Sequence, residues 1–196
     1  MTRPRLVLAS RSPRRTDLLR TFLDEAAPGT GFEVAPSDVD ESPLSGEAPR
    51  DMVLRLAVAK ARAVAARAGA AAMVIGADTT VEIDGESLGQ PADAGAARAT
   101  LRRLSGRTHL VHTGVAVVWG VSEASGVDTA RVTVVPLTDE LVEWYVATGE
   151  PMDKAGAYGV QGQGAVLIER VEGALTTVVG LPLRLLADRL AALGWK

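Results

Sequence analysis

The sequence predicts an α/β or α+β fold built around a mixed β-sheet. Short apolar segments typical of buried strands alternate along the chain with longer segments that have the apolar periodicity of amphipathic helices. Residues that favour helix caps and tight turns separate most of these segments. The 196 residues are 47% hydrophobic and carry a net charge of -3, which is ordinary for a small globular protein. We therefore expect residues 1–196 to form a single domain.

The first elements are predicted from apolar runs and one strong capping signal. Residues 5–9 are apolar and predict a buried strand, and Ser12-Pro13 has the residues favoured at the start of a helix. Residues 49–67 carry an apolar stripe and predict a long amphipathic helix. A second buried strand is expected at 72–77, ending at Asp78.

The remaining elements follow from alternation, caps and turn residues. They are a hairpin at Asp84-Gly85, a third helix from Asp93 to Ser105-Gly106, strands at 108–119 and 129–135 joined through 120–126, a fourth helix from Thr138 to Gly149, two strands around Glu172-Gly173 and a last helix from about Pro182.

Composition excludes several classes of function. The net negative charge argues against a dedicated nucleic-acid binder, and the lack of cysteine removes thiol nucleophiles and cysteine-based metal sites. The apolar run from Leu6 to Ala9 is too short for a signal peptide, and no stretch approaches the ~20 apolar residues of a membrane span. We therefore expect a cytoplasmic protein that binds neither nucleic acid nor a membrane.

A candidate anion site lies where the first strand meets the first helix. Free backbone N–H groups at a helix N-terminus favour an anion, and the Ser10 hydroxyl adds a donor. Arg14 and Arg15 carry forked guanidinium groups that suit phosphate oxygens. The alternative is a capped helix with a solvated basic face, and the local sequence favours neither.

Asp78 and Lys60 are candidate catalytic and binding residues. A carboxylate at the end of a buried strand can hold a divalent metal or act as a general base, although such a residue also commonly caps a turn. Lys60 lies on the apolar face of its helix, where a lysine either extends to solvent or points into a polar cavity. Extension to solvent is the commoner case.

The glycine-rich segment 153–164 contains Lys154 and Gln161. Glycines allow backbone amides to approach a ligand closely, whereas the alternative is a flexible loop. The chain has no Walker-type phosphate loop. His109 and His112 are expected on opposite faces of one strand, in structural roles. Glu41, in an acidic loop, is a candidate metal ligand.

Seven runs of the chain, in order, resemble the signatures of the Maf family of nucleotide pyrophosphatases. They are LVLASRSPRRTDLL, VDESP, RLAVAKA, IGADTTV, LSGRTHLVHTG, TGEPMDKAGAYGVQG and VVGLPL. The resemblance spans nearly the whole chain, and seven ordered motifs are far more specific than any one of them.

This resemblance implies a Maf/ITPase-like fold, with an elongated mixed sheet flanked by helices and a central cleft between two lobes. It implies hydrolysis of nucleoside triphosphates to the monophosphate and pyrophosphate, as house-cleaning of the nucleotide pool, by a homodimer that uses Mg²⁺ or Mn²⁺. Asp78 is the implied proton acceptor. The positions implied in handling phosphate or metal are Arg14, Arg15, Lys60, Lys154 and Glu41.

The base preferred by the enzyme differs between Maf subclasses. Arg14, Thr79 and Gln161 resemble the subclass that acts on dTTP and UTP, including modified pyrimidine nucleotides. Thr79 and Gln161 would supply directional hydrogen bonds to a pyrimidine edge. Two alternatives remain open: a 7-methyl-GTP pyrophosphatase, whose subclass tends to carry other residues at 14 and 79, and a non-catalytic nucleotide-binding regulator of septum formation.

Gln90 departs from the family pattern, which usually has a phosphate-binding lysine in a GKP run where this chain reads Gly89-Gln90-Pro91. We expect Gln90→Lys to lower the Michaelis constant for UTP a few-fold to tenfold. A charge-assisted bond exceeds a neutral one by very roughly 1 kcal/mol. Steady-state kinetics at low and high salt measure the effect. An unchanged constant would mean that another arginine, such as Arg11 or Arg98, already fills this role.

Overall fold

A mixed β-sheet of seven strands forms the centre of the protein, in a computed structural model that describes residues 4–195. The strand order is β2-β1-β3-β5-β6-β7, and β4 pairs with β3. The strands are β1 (Arg5–Ala9), β2 (Phe32–Val34), β3 (Ala72–Ile83), β4 (Glu86–Leu88), β5 (Thr108–Trp119), β6 (Ser122–Val134) and β7 (Ile168–Glu172). β1 runs parallel to both β2 and β3, whereas the other pairs are antiparallel. The predicted class, a mixed sheet flanked by helices, is confirmed.

Helices cover the sheet differently along its length. They are α1 (Pro13–Ala26), α2 (Pro49–Ala68), α3 (Ala94–Leu104), α4 (Asp139–Ala147), α5 (Leu175–Val179) and α6 (Leu183–Ala192). α1 and α6 share one apolar core with one sheet face, and α2 packs on the opposite face. α3 and α4 build a separate core over the C-terminal ends of β3 and β6 and the N-terminal end of β5. None of the helices described between residues 4 and 195 is long and apolar enough to cross a membrane.

The predicted helix starts and the hairpin are confirmed. Ser12, Asp93 and Thr138 each accept a hydrogen bond from the backbone N–H three residues later, so their helices begin where the sequence indicates. Asp84 and Gly85 both have positive φ, at 55° and 78°, as a tight two-residue hairpin requires.

Helix α2 lies unusually close to the sheet because two glycines face it. A Cβ atom added at Gly76 would lie 2.3 Å from the carbonyl oxygen of Ala57, and one at Gly114 would lie 2.3 Å from that of Val53. Any side chain at either position would push the helix outward. The two glycines therefore seat α2, and with it Lys60, directly over β3 and β5.

The prediction that a strand ends at Asp78 is wrong, because β3 continues to Ile83. Its pairing with β1 stops at Gly76, and its pairing with β4 starts at Val81. Residues 77–80 therefore have a strand neighbour, β5, on one side only. Asp78 therefore lies in the middle of a strand, where β3 has no neighbour on one side. This gap, and not a strand end, lets a ligand approach the Asp78 side chain.

Two other boundaries differ from the predictions. β6 starts at Ser122 rather than 129, because the segment read as a connection forms a sheet edge not paired by β7, where polar side chains are tolerated. Only β7 forms near Glu172-Gly173 instead of two strands. Gly173 has a φ of 112°, which ends the strand, and the short helix α5 follows.

His109 and His112 are both buried and bond to neighbouring side chains, which agrees with the structural roles expected for them. His112 bonds Thr129 through Nδ1 and Glu82 through Nε2, each within 2.8 Å. His109 is 2% exposed, and its Nε2 lies 2.7 Å from the Tyr158 hydroxyl. Within residues 4–195 its Nδ1 has no hydrogen-bond partner. Burial lowers the pKa of His109 from 6.5 to about 4.

This buried histidine should make stability depend on pH. The unfolded chain protonates at position 109 near pH 6.5, whereas the folded protein resists protonation down to about pH 4. Stability should therefore fall as pH drops through this window, by at most roughly 3 kcal/mol from this residue. We expect His109→Gln to reduce that slope. Urea unfolding at pH 4.5 to 7.5 measures it, and an equal slope in both proteins would contradict the assignment.

Candidate active site

A cavity of about 690 Å³ opens at the gap between β1 and β4, beside the unpaired edge of β3. All ten residues predicted to bind substrate or metal or to act in catalysis line it. They are Ser10, Arg14, Arg15, Glu41, Lys60, Asp78, Thr79, Gln90, Lys154 and Gln161. Residues from distant parts of the chain thus surround one space, as a ligand site requires.

The innermost contact of the cavity joins Lys60 to two carboxylates. The ammonium Nζ lies 2.6 Å from Oδ1 of Asp78 and 2.8 Å from Oε1 of Glu41. Lys60 and Asp78 are each 7% exposed. The commoner expectation for Lys60, extension to solvent, is therefore wrong. The close seat of α2 over Gly114, the cross-strand partner of Asp78, turns this lysine inward instead.

The environment of Asp78 affects its protonation. Burial raises the pKa of Asp78 above its usual range, while the charge and hydrogen bond of Lys60 and the charge of Arg15 oppose this rise. A carboxylate with a raised pKa accepts a proton more readily than an ordinary aspartate does. Asp78 therefore has the environment of a general base.

Arg15 mainly connects helix α1 to strand β3 and to the turn at Gly180, and little of it is free to bind phosphate. Its Nε donates to the carbonyl oxygen of Gly180 at 2.8 Å and its Nη1 to that of Ala77 at 2.9 Å, with a weaker 3.4 Å bond to Ser10 Oγ. Its Nη2 donates to Thr79 Oγ1 at 2.9 Å. Four of the five guanidinium N–H groups are thus engaged, and one on Nη2 is left for a ligand. Burial lowers the pKa of Arg15.

The hydroxyl of Thr79 has a defined hydrogen-bond polarity. Thr113 Oγ1 donates to the carbonyl oxygen of Thr177 at 2.8 Å, so it must accept from Thr79 Oγ1, which lies 2.9 Å away. Thr79 thus donates its only hydroxyl proton to Thr113 and accepts one hydrogen bond from Arg15. What remains is a single acceptor site. Thr79 can offer a ligand an acceptor but no donor.

Asp153 brings together three of the predicted binding residues. Its carboxylate accepts from Arg14 Nη1 at 2.8 Å and from Lys154 Nζ at 2.7 Å. Its backbone carbonyl accepts from Arg14 Nη2 at 3.1 Å and from Gln90 Nε2 at 3.2 Å. Burial opposes ionisation, but the bonds from Lys154 and Arg14 hold the pKa of Asp153 below its usual range. Sequence reasoning missed Asp153, because an aspartate in a loop carries no local signal.

The glycine-rich segment is held by Glu150, so the alternative of a flexible loop is not supported. The Glu150 carboxylate accepts from the Tyr145 hydroxyl at 3.0 Å and from the backbone N–H groups of Gln163 and Gly164 at 2.9 and 3.1 Å. Its backbone carbonyl accepts from Lys154 Nζ at 2.6 Å. One acid thus fixes both ends of the segment that carries Lys154 and Gln161.

The remaining candidates differ in their surroundings. Arg11 lines the cavity but pairs with Asp38. Arg98 is not among the lining residues and pairs with Glu143 at 2.7 Å, so it does not replace the missing lysine at position 90. Sequence reasoning also missed the bonded hydroxyl groups of Thr80 and Ser87, which line the cavity 2.5 Å apart.

The carboxylates of the cavity could supply part of the coordination shell of a hard divalent cation, with water and a bound ligand supplying the rest. Asp78 and Glu41 place two carboxylates within hydrogen-bond distance of one Nζ atom. Among residues 4–195, no group of three or more histidine, cysteine, aspartate or glutamate side chains is arranged to hold a metal. Mg²⁺ typically takes one or two carboxylates and fills its other positions with water and phosphate oxygens. Two carboxylates in a cavity lined by cations match that pattern.

The charge of the cavity lining suits an anion. Five cationic side chains face three carboxylates, which leaves an excess of two positive charges. The cations are Arg11, Arg14, Arg15, Lys60 and Lys154, and the anions are Glu41, Asp78 and Asp153. Fold and site together define an α/β protein with a cationic cleft and a buried, base-like carboxylate.

The sequence matches the family of Maf-like proteins over residues 5–193, and the chain belongs to this family. It is 49% identical to a protein of Symbiobacterium thermophilum named dTTP/UTP pyrophosphatase, over 97% of this chain and 94% of the relative. A protein of Moorella thermoacetica with the same name is 50% identical over 97% and 95%.

A solved nucleoside-triphosphatase / dITP/XTP pyrophosphatase from Mycobacterium abscessus is a looser match. It is 18% identical, covers 96% of this chain and 94% of its own, and has a TM-score of 0.48. This likeness is too weak to support a conclusion about function.

Proposed function

We propose that this protein hydrolyses nucleoside triphosphates to the monophosphate and pyrophosphate, with dTTP and UTP, including modified forms, as preferred substrates. The observation that carries the proposal is the buried Asp78–Lys60 pair at the floor of a cationic cavity large enough for a nucleotide. Relatives about half identical over nearly the whole chain carry the name dTTP/UTP pyrophosphatase. These names support the reaction and the substrate class. The biological role is house-cleaning of the nucleotide pool.

In the proposed reaction, a water oxygen attacks the α-phosphorus and the bond to the bridging oxygen breaks. Pyrophosphate leaves with that electron pair, and the proton of the attacking water passes to Asp78. The Lys60 ammonium orients the Asp78 carboxylate through Oδ1 at 2.6 Å. Arg14, Lys60, Lys154 and the last free N–H of Arg15 neutralise charge on the β and γ phosphates.

Asp78 and Glu41 are the residues that would hold a divalent cation, Mg²⁺ or Mn²⁺. Such an ion supplies charge neutralisation on the phosphate oxygens. A carboxylate bound tightly to a metal is a poor base, so the two roles proposed for Asp78 compete. Glu41 has a more exposed carboxylate, and we assign it the larger share of metal binding.

The family resemblance also supports a cytoplasmic homodimer that acts on free nucleotides. Size-exclusion chromatography with light scattering tests the dimer, independently of activity.

Replacing the general base Asp78 should stop turnover while the protein still binds nucleotide. Asp78→Asn keeps the shape of the side chain but loses its charge, and loss of general-base help typically costs ~10²–10⁴-fold in rate. In the wild type, because burial raises the pKa of Asp78, kcat/KM should fall on the acidic side at a pH above the ordinary aspartate range.

Pyrophosphate release from UTP with Mg²⁺, followed across pH, measures both effects. Asp17→Asn is the matched control, because Asp17 is exposed and pairs only with Arg20 among the described residues. Turnover of Asp78→Asn near the wild-type rate would remove Asp78 from the mechanism. A protein that binds UTP without releasing pyrophosphate would instead be a nucleotide-binding regulator.

Base selectivity provides an independent test. The one hydrogen-bonding site left on Thr79 is an acceptor, which matches the N3–H of uracil and thymine but not the unprotonated N3 of cytosine. We expect UTP and dTTP to exceed CTP in kcat/KM by tenfold or more, since unmatched polar groups are costly. The names of the relatives support a similar preference over ATP and GTP. Equal rates for CTP would contradict this role of Thr79, and a preference for 7-methyl-GTP would contradict the subclass.

A further inference from the structure

Asp153 forms ion pairs with Arg14 and Lys154, two of the cations that the proposed mechanism assigns to phosphate. Its carboxylate oxygens lie 2.8 Å from Arg14 and 2.7 Å from Lys154, and all three residues line the cavity. A carboxylate that accepts one hydrogen bond from an arginine and one from a lysine resembles a phosphate group in charge and in the donors that it attracts. In the free protein both cations are therefore already paired with this one carboxylate.

The contacts of the Asp153 carboxylate with Arg14 and Lys154 can be replaced by contacts with a bound phosphate group. The Asp153 side chain is 63% exposed, and its partners Arg14 and Lys154 are 33% and 14% exposed. An ion pair whose carboxylate is this well solvated contributes little to stability. A triphosphate carries several negative charges, so it can displace a single carboxylate. The backbone carbonyl of Asp153 separately accepts from Arg14 and Gln90, so these two bonds do not depend on the carboxylate.

We propose that Asp153 is an internal competitor for the phosphate groups of the substrate, which holds Arg14 and Lys154 in the empty site and takes them back when pyrophosphate leaves. It weakens the binding of triphosphate and pyrophosphate by the same factor, because both ligands must displace the same carboxylate. The alternative is that Asp153 only positions the loop and the two cations, in which case its loss weakens binding.

Asp153→Asn separates these two roles, because the amide keeps the shape of the side chain and the backbone bonds but loses the charge. This proposal rests on the proposed function for its kinetic part. The Michaelis constant for UTP and the inhibition constant of pyrophosphate should both fall roughly three- to tenfold, in parallel. The inhibition constant of uridine monophosphate, which lacks the β and γ phosphates, should stay unchanged.

Asp188→Asn is the matched control, since it makes the same change of net charge on α6, where Asp188 pairs with Arg184 outside the cavity. An unchanged or raised constant for pyrophosphate in Asp153→Asn would overturn the proposal. Equal tightening of uridine monophosphate, or tightening in the control, would also overturn it, because the effect would then be one of general charge.

A binding measurement without turnover keeps this result separate from the proposed function. Calorimetric titration with inorganic tripolyphosphate should show tighter binding to Asp153→Asn than to the wild type, even if the protein hydrolyses no nucleotide. If Asp153→Asn is unstable, Asp153→Ser takes its place in the same titration. Wild-type turnover of UTP combined with no tightening in either variant would leave the proposed function standing and reject Asp153 as a competitor.

Discussion

The buried contact between Lys60 and Asp78 is the constraint on which the rest of the site depends. A charged group removed from water must be paired, and the loss of one partner typically costs about 3–5 kcal/mol. Both side chains are almost fully buried, so helix α2 must stay at a fixed height above β3. Gly76 and Gly114 make that height possible, because any Cβ there would meet the α2 backbone. Two glycines on the sheet therefore serve the chemistry as much as the packing.

The gap at the edge of β3 explains how one cavity reaches both faces of a sheet. Successive side chains of a strand point to opposite faces, so Asp78 meets α2 while Thr79 meets Arg15 on the side of α1. A complete sheet would separate the two residues. Since β1 ends and β4 has not begun, a ligand at this edge can contact a buried base from one face and a polar hydroxyl from the other. The combination needs no strand terminus.

Features set by neighbouring residues could be predicted from the sequence, and those set by distant contacts could not. The caps at Ser12, Asp93 and Thr138 depend on bonds three residues along the chain, and they are confirmed. The direction of Lys60 depends on glycines in two strands, so the local pattern favoured the wrong outcome.

Asp153 shows the same limit at the site. Its partner Arg14 lies 139 residues away, and no spacing rule connects the two positions. Family motifs supplied the cavity-lining residues because they carry such long-range information, but they did not reveal how the side chains are paired.

That pairing changes how the binding of a polyphosphate should be understood. Four of the five cations of the cavity already have a carboxylate partner: Lys60 has Asp78 and Glu41, Arg14 and Lys154 have Asp153, and Arg11 has Asp38. The fifth, Arg15, donates to two carbonyl oxygens and to the Thr79 hydroxyl. Binding is therefore an exchange of one set of charged contacts for another, and the net gain is much smaller than the number of cations indicates. The neutral Gln90 fits this arrangement, because it bonds the backbone of Asp153 and leaves one carboxylate to be shared by two cations instead of three.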